Sequence, residues 1–245
     1  MRIFKHGTPR GMWGAPRGAL PANTKRFTIP IKQGEASTMS VSEENRRPIK
    51  ARSAAWAQGI AQWLARNDIS LNQISVASVF FAALGAVALI WLINALGLIV
   101  CAIAIQARLI CNLLDGMVAI EGGKKSSVGQ LYNEFPDRIA DSVLIVALGY
   151  AAGLPWLGWF GALVAALTAY VRVFGGSIGL SQNFRGPMAK QHRMAVMTLT
   201  CVIGAGEWYF SGTRYALTIA AWVIAIGSIL TCVTRTTAIA KQLKS

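Results

Sequence analysis

The sequence predicts an all-α membrane protein with about six transmembrane helices, preceded by an amphipathic helix at the membrane interface. Hydrophobic residues make up 54% of the 245-residue chain and charged residues only 14%, a balance that a soluble domain of this size would have difficulty hiding from water. From Ile74 onward the chain is a series of apolar stretches broken by short Gly, Pro or charged segments, the pattern of packed membrane-spanning helices. The basic residues, finally, are placed unevenly along the chain.

Twelve of the 24 Lys and Arg residues precede Asp68. The formal charge of +14 therefore gathers ahead of the first span, where a cytoplasmic segment facing anionic headgroups explains it better than nucleic acid does. Residues 1–38 carry basic residues among Gly and Pro without the apolar core of a secretory signal, and read as a disordered basic extension. Met39 opens a segment that would serve equally well as a start. Within residues 39–73, Trp56, Ile60, Trp63 and Leu64 recur at i, i+4, i+7 and i+8, so a helix there would lie along the membrane surface.

The spans expected are 74–92, 95–114, 137–153, 156–178, 194–211 and 214–234, which make residues 74–234 one six-helix membrane domain followed by a short tail, 235–245. A cytoplasmic N-terminus puts the loops 115–136 and 180–193 and the tail on the cytoplasmic side, with Lys124, Lys125, Arg185, Lys190, Arg193, Arg235, Lys241 and Lys244, as the positive-inside bias requires. Trp91, Trp156, Trp159, Trp208 and Tyr209 fall near the opposite ends, where aromatic rings anchor at headgroup level. The four cysteines sit in apolar runs without metal-ligand spacing, which suggests neither a disulfide framework nor a zinc site.

Five of the ten acidic residues, Asp115, Glu121, Glu134, Asp137 and Asp141, fall between the second and third spans. Asn112, Asp115 and Ala119 would share one face of a continuing helix, and Asn133, Asp137 and Asp141 recur every four residues on another. Two such faces meeting at a short loop make an oxygen-rich pocket suited to Mg²⁺ or Mn²⁺. Carboxylates so close would repel one another unless a cation shared them.

The run Asn112-Leu-Leu-Asp115-Gly116-Met-Val-Ala119, followed by Gly129-Gln-Leu-Tyr-Asn133-Glu-Phe-Pro-Asp137, resembles the signature of the CDP-alcohol phosphatidyltransferases, Asp-x2-Asp-Gly-x2-Ala-Arg-x8-Gly-x3-Asp-x3-Asp. Ile69-Ser-Leu-Asn72-Gln-Ile-Ser75 looks like the entry to the first span in that family. Asn112 and Asn133 stand where the family usually has its first and third aspartates, and Ile120 stands where it has arginine, so the resemblance is to a divergent branch.

The resemblance implies a phosphotransferase of phospholipid biosynthesis that transfers a phosphatidyl group from CDP-diacylglycerol or a similar CDP-alcohol to an alcohol acceptor and releases CMP. It implies Asp137 as general base, and Asn112, Asp115, Asn133, Asp137 and Asp141 as ligands of Mg²⁺ or Mn²⁺. Gly116, Ala119 and Gly129 would leave room for the nucleotide, and a homodimer in a bacterial-type inner membrane, with the active site on the cytoplasmic side, is expected. Lys190 and Arg193 read either as phosphate contacts or simply as positive-inside charge, and Arg138 or Arg172 is a candidate for the positive charge lost at Ile120. The acceptor alcohol is not legible. A non-catalytic CDP-lipid-binding or interaction protein that retains the fold is the alternative reading, motivated by the two asparagines and Ile120.

Overall fold

The computed structural model describes residues 55–67, 69–121 and 129–244, and the side chains of 119–133 lie outside that description. The basic extension 1–38 and the alternative start at Met39 therefore lie outside the described residues. The described helices all fall within one compact unit, Glu43–Ser245.

Seven helices are described: α1 (Ala55–Arg66), α2 (Leu71–Trp91), α3 (Ala95–Glu121), α4 (Gly129–Ala151), α5 (Pro155–Ser177), α6 (Lys190–Ser211) and α7 (Tyr215–Lys244). The neighbour contacts close α2–α4–α5–α7–α6–α3–α2 into a ring, α4 also touches α7, and α1 lies against α3. By length and apolarity, α2, Ala95–Val118 of α3, α5 and α7 can cross a membrane. The six expected spans thus become four by that measure among the described residues. The reason is charge: Glu134, Asp137, Arg138 and Asp141 interrupt α4, and Lys190, Arg193 and Glu207 interrupt α6.

Local chemistry moves several expected boundaries. Ser70, not Asn72, caps α2: its hydroxyl accepts from the Gln73 N–H, and the Gln73 side chain accepts from the Ser70 N–H at 2.8 Å, a reciprocal capping box. Helix α4 begins at Gly129 and runs through Pro136, eight residues before the expected start, at the cost of one backbone hydrogen bond. The expected tail from Arg235 is a continuation of α7 to Lys244, since no Gly or Pro follows Gly227 to end the helix.

The core is small-residue packing. A Cβ on Gly149 of α4 would lie 2.5 Å from the Gly158 Cα of α5, so the two backbones meet where neither has a side chain. On α1, Ala57 and Ala61 pack on Leu113, Leu114, Met117 and Val118 of α3, while Trp56, Ile60 and Trp63 stay exposed. Trp56, Ile60 and Trp63 of the stripe expected to face the membrane are therefore open, while Leu64 and the flanking alanine face dock on α3. Large apolar side chains also cover the outside of the ring, from Phe80 and Leu96 to Ile219 and Val233, a surface far too apolar for water. The protein is an integral membrane protein.

Trp91, Trp156, Trp159 and Tyr209 are exposed at the end of the ring away from α1, as expected. Glu207 sits at that end too. Its carboxylate accepts from the Thr213 hydroxyl (2.5 Å), the Tyr215 N–H (2.7 Å) and the Ala216 N–H (2.9 Å), closing the first turn of α7 in place of a local cap. Glu207→Ala should cost about 1 kcal/mol of stability, read as a lower Tm in detergent, and leave the activity proposed below unchanged.

Candidate active site

Among the described residues the buried charged side chains, Arg108, Asp115, Asp141, Arg172, Arg193 and Arg235, lie toward the α1 end of the ring. Here the C-terminal halves of α3 and α5, the N-terminal halves of α4 and α6, and the C-terminal part of α7 enclose a cavity of about 490 Å³. Its polar wall includes Asn112, Glu134, Asp137, Arg138, Arg172 and Lys190, and its apolar wall includes Leu109, Ile110, Leu113 and Trp56. One side of the cavity is thus fit for charge and the other for hydrocarbon.

Helical spacing puts Asn112 and Asp115 on one side of α3, where serines of α2 meet them. The Ser78 hydroxyl donates to the Asn112 Oδ1 at 3.0 Å, and the Ser75 hydroxyl to the Asp115 Oδ2 at 3.4 Å. Asp115 is 6% exposed, and Gly116 follows it within the same helix. Across the site, Asp137 of α4 has two cationic partners: the Lys190 ammonium on Oδ2 and the Arg108 guanidinium on Oδ1, the latter at 3.4 Å. Ala119, Gly129 and Asn133, expected at the nucleotide and the metal, have side chains outside the described residues.

Asp141, expected among the metal ligands, has a different environment. Its Oδ1 accepts from Arg108 at 2.7 Å and its Oδ2 from Arg193 at 2.9 Å; the side chain is buried and not part of the cavity wall. Arg193, expected at a phosphate, reaches the cavity wall but spends its donors on Asp141 and on the Met188 carbonyl (2.8 Å). Arg138 lies 3.7 Å from Glu134, and Arg172 joins Glu134 to Gln182. Burial pushes the Glu134 carboxyl up, but the Arg172 and Arg138 guanidiniums beside it more than offset this and hold it below the usual range.

Lys190 is delivered by the loop between α5 and α6. Arg235 of α7 straps that loop down, donating to the carbonyls of Arg185 (2.9 Å) and Phe184 (3.4 Å) and to the Thr168 carbonyl of α5 (2.6 Å). Gly186, at φ +131°, lies so close to Thr231 that a Cβ would fall 2.5 Å from its methyl, a conformation only glycine adopts without strain.

The residues fit a divalent cation. The buried Asn112 Nδ2 has no hydrogen-bond partner. A half-turn of the amide would put its oxygen in that place while the Ser78 hydroxyl accepts instead of donating. Asn112, Asp115 and Asp137 would then supply the oxygen ligands that Mg²⁺ or Mn²⁺ takes. Among the described residues no group of three or more His, Cys, Asp and Glu side chains forms a metal site.

The crystal structure of Mycobacterium tuberculosis phosphatidylinositol phosphate synthase with CDP-DAG bound superposes on this chain with a TM-score of 0.64 at 20% identity, covering 76% of this chain and 94% of that one. The chain has the CDP-alcohol phosphatidyltransferase fold. The manganese and citrate complex of the same synthase gives the same TM-score, 0.64, at 19% identity, over 75% of this chain and 88% of that one. In sequence, the chain is 26% identical over 148 residues to the phosphatidylinositol phosphate synthase of Streptomyces avermitilis, covering 57% of this chain and 61% of that protein. It is 25% identical over 141 residues to the inner membrane protein YnbA of Escherichia coli, covering 56% and 69%. No protein-family model matches the chain. The described stretches of the run read as a signature, 112–121 and 129–137, fall in the C-terminal half of α3 and the N-terminal half of α4, and from them Asn112 and Asp137 line the cavity.

One residue the sequence analysis passed over is Arg108. It is completely buried and touches both Asp137 and Asp141. Its signal was available: it is the only charged residue between Leu71 and Asp115, and a lone charge in a span marks a polar partner within the bundle.

Proposed function

We propose that this chain is a transferase that moves a phosphatidyl group from CDP-diacylglycerol, or a similar CDP-alcohol, to an alcohol acceptor with release of CMP. The observation that carries this reading is the cavity itself, with Asn112 and Asp137 on its wall and Asp115 buried three residues beyond Asn112, cations along one wall and hydrocarbon along the other, in a fold shared with a synthase crystallised with CDP-DAG. The acceptor oxygen attacks the β-phosphorus, forming a new P–O bond as the bond to CMP breaks; CMP leaves with the bridging oxygen. The hydroxyl proton passes to Asp137, the general base.

Lys190, on the cavity wall, can exchange Asp137 for a substrate phosphate, and so frees Oδ2 for the proton as it neutralises the substrate. A divalent ion held by Asn112, Asp115 and Asp137, with Asn133 as a further candidate, would neutralise the pyrophosphate and the departing charge. Asp141 is then the anion that holds Arg108 and Arg193, not a fourth ligand. With Arg193 already paired to Asp141, four further cations on the cavity wall, Arg138, Arg172, Lys190 and Arg235, face two carboxylates, Glu134 and Asp137. That excess favours an acceptor that itself carries phosphate, in keeping with the phosphatidylinositol phosphate named for the relatives. The active site faces the cytoplasm of a bacterial-type inner membrane, because the basic loops lie at its end of the ring, and the protein acts as a homodimer.

The second reading, a CDP-lipid-binding protein without turnover, is favoured by one observation: both oxygens of Asp137 are already engaged by cations. The deciding experiment is CMP release by the purified protein in detergent with CDP-diacylglycerol, Mn²⁺ and a pool of free and phosphorylated polyols. Release should disappear with chelator and fall about 100-fold or more in Asp115→Ala. Binding of CDP-lipid without release under any condition would establish the second reading.

A further inference from the structure

We propose that Arg108 is a positioning residue for Asp137, an inference that rests on the transferase reading. Arg108 lies on α3 one turn before Asn112, with no exposed surface. Its Nη2 donates to the Asp141 Oδ1 at 2.7 Å and reaches both the backbone carbonyl (3.3 Å) and the Oδ1 (3.4 Å) of Asp137, while its Nη1 meets the Met194 Sδ of α6 at 3.0 Å. A single guanidinium therefore ties α3 to Asp137 and Asp141 of α4 and to Met194 of α6.

The two partners of Asp137 differ in kind. Arg108 is immobilised, because Asp141 anchors it and Arg193 in turn holds the other oxygen of Asp141 at 2.9 Å. Arg193 is itself fixed by the Met188 carbonyl. Lys190 is a flexible ammonium arm whose side chain is 21% exposed at the cavity wall, free to follow a phosphate. When Lys190 turns to the substrate, only Arg108 keeps the carboxylate in place, with Oδ1 held and Oδ2 directed at the cavity. Arginine suits this task because Nη2 reaches both carboxylates while Nη1 is held against Met194, a planar multi-donor geometry that an ammonium does not reproduce. A buried charge in this part of the bundle is costly, and the Asp141–Arg193 pair is what makes it tolerable.

The test is steady-state kinetics of CMP release in detergent for the wild-type protein, Arg108→Met and Arg108→Lys, with CDP-lipid affinity and Tm measured alongside. Loss of positioning should lower kcat about 100-fold in Arg108→Met and about tenfold in Arg108→Lys, with KM for the CDP-lipid within about threefold of wild type. A merely structural residue would not produce that split. It would lower Tm and raise KM and the CDP-lipid dissociation constant together. If Arg108→Met does not fold, Arg108→Lys decides alone. An unchanged kcat in a folded Arg108→Lys, or a loss confined to KM and Tm, overturns the proposal while leaving the transferase reading intact. Absence of CMP release from the wild-type protein overturns both.

Discussion

Asp137→Asn should abolish CMP release while leaving the fold in place. The amide keeps the shape of the carboxylate, and its one oxygen can still accept from either Arg108 or Lys190, though not from both, because the other position now carries an NH2 donor. What the substitution removes is the capacity to take a proton and the negative charge offered to a cation. Loss of general-base assistance alone is worth about 10²- to 10⁴-fold in rate, and weaker cation binding adds to it. CMP release should therefore fall by at least that factor, with gel-filtration profile and Tm close to wild type. Turnover within tenfold of wild type would remove Asp137 as the base and, with it, the mechanism proposed here. The contrast with Glu207→Ala, at the other end of the ring, guards against a general effect of losing any membrane carboxylate.

Asp141→Ala should be the most destabilising of the substitutions considered. The carboxylate is the common anion of Arg108 and Arg193, both essentially inaccessible to water, and removing it leaves Arg193 without a counter-charge and Arg108 with only its 3.4 Å contact to Asp137. Breaking a buried pair in this way costs about 3–5 kcal/mol, which for a chain of this length lowers Tm by roughly 10 °C. Asp141→Asn, which keeps an acceptor but not the charge, should fall between. If Asp141 were instead a metal ligand facing the cavity, Asp141→Ala would leave the metal-free Tm unchanged and reduce only metal-dependent activity. A Tm measurement in chelator therefore separates the two roles.

These two residues show where sequence reasoning reached and where it stopped. The shared face of Asn112 and Asp115 on α3, and the place of Asp137 on the facing side of α4, were legible because three- and four-residue steps fix a helical face whatever surrounds it. Asp141 follows the same rule, one turn beyond Asp137, and spacing alone joined it to the ligand set. Its actual partners, Arg108 and Arg193, lie 33 and 52 positions away along the chain, and no local pattern could connect them. Lys190 and Arg193, three apart at the start of one helix, looked equivalent in sequence. The fold sends Lys190 to Asp137 on the cavity wall and Arg193 inward to Asp141.

The same division holds for the architecture. Composition and the run of apolar segments by themselves determined an all-α membrane protein with six long helices beyond α1, because burying backbone in lipid leaves a helix as the only economical choice for such stretches. They also determined which end carries the basic loops. Only the tertiary structure decided that α4 and α6, the two helices interrupted by charge, bring Glu134, Asp137, Arg138, Lys190 and Arg193 together at one cavity. It also decided that the alanines of α1 dock while its tryptophans stay open, and that a buried Asp141 serves two arginines. Helix formation and hydropathy are properties of neighbouring residues, whereas the pairing of a buried charge is settled by whichever distant group the packed ring brings within hydrogen-bond reach.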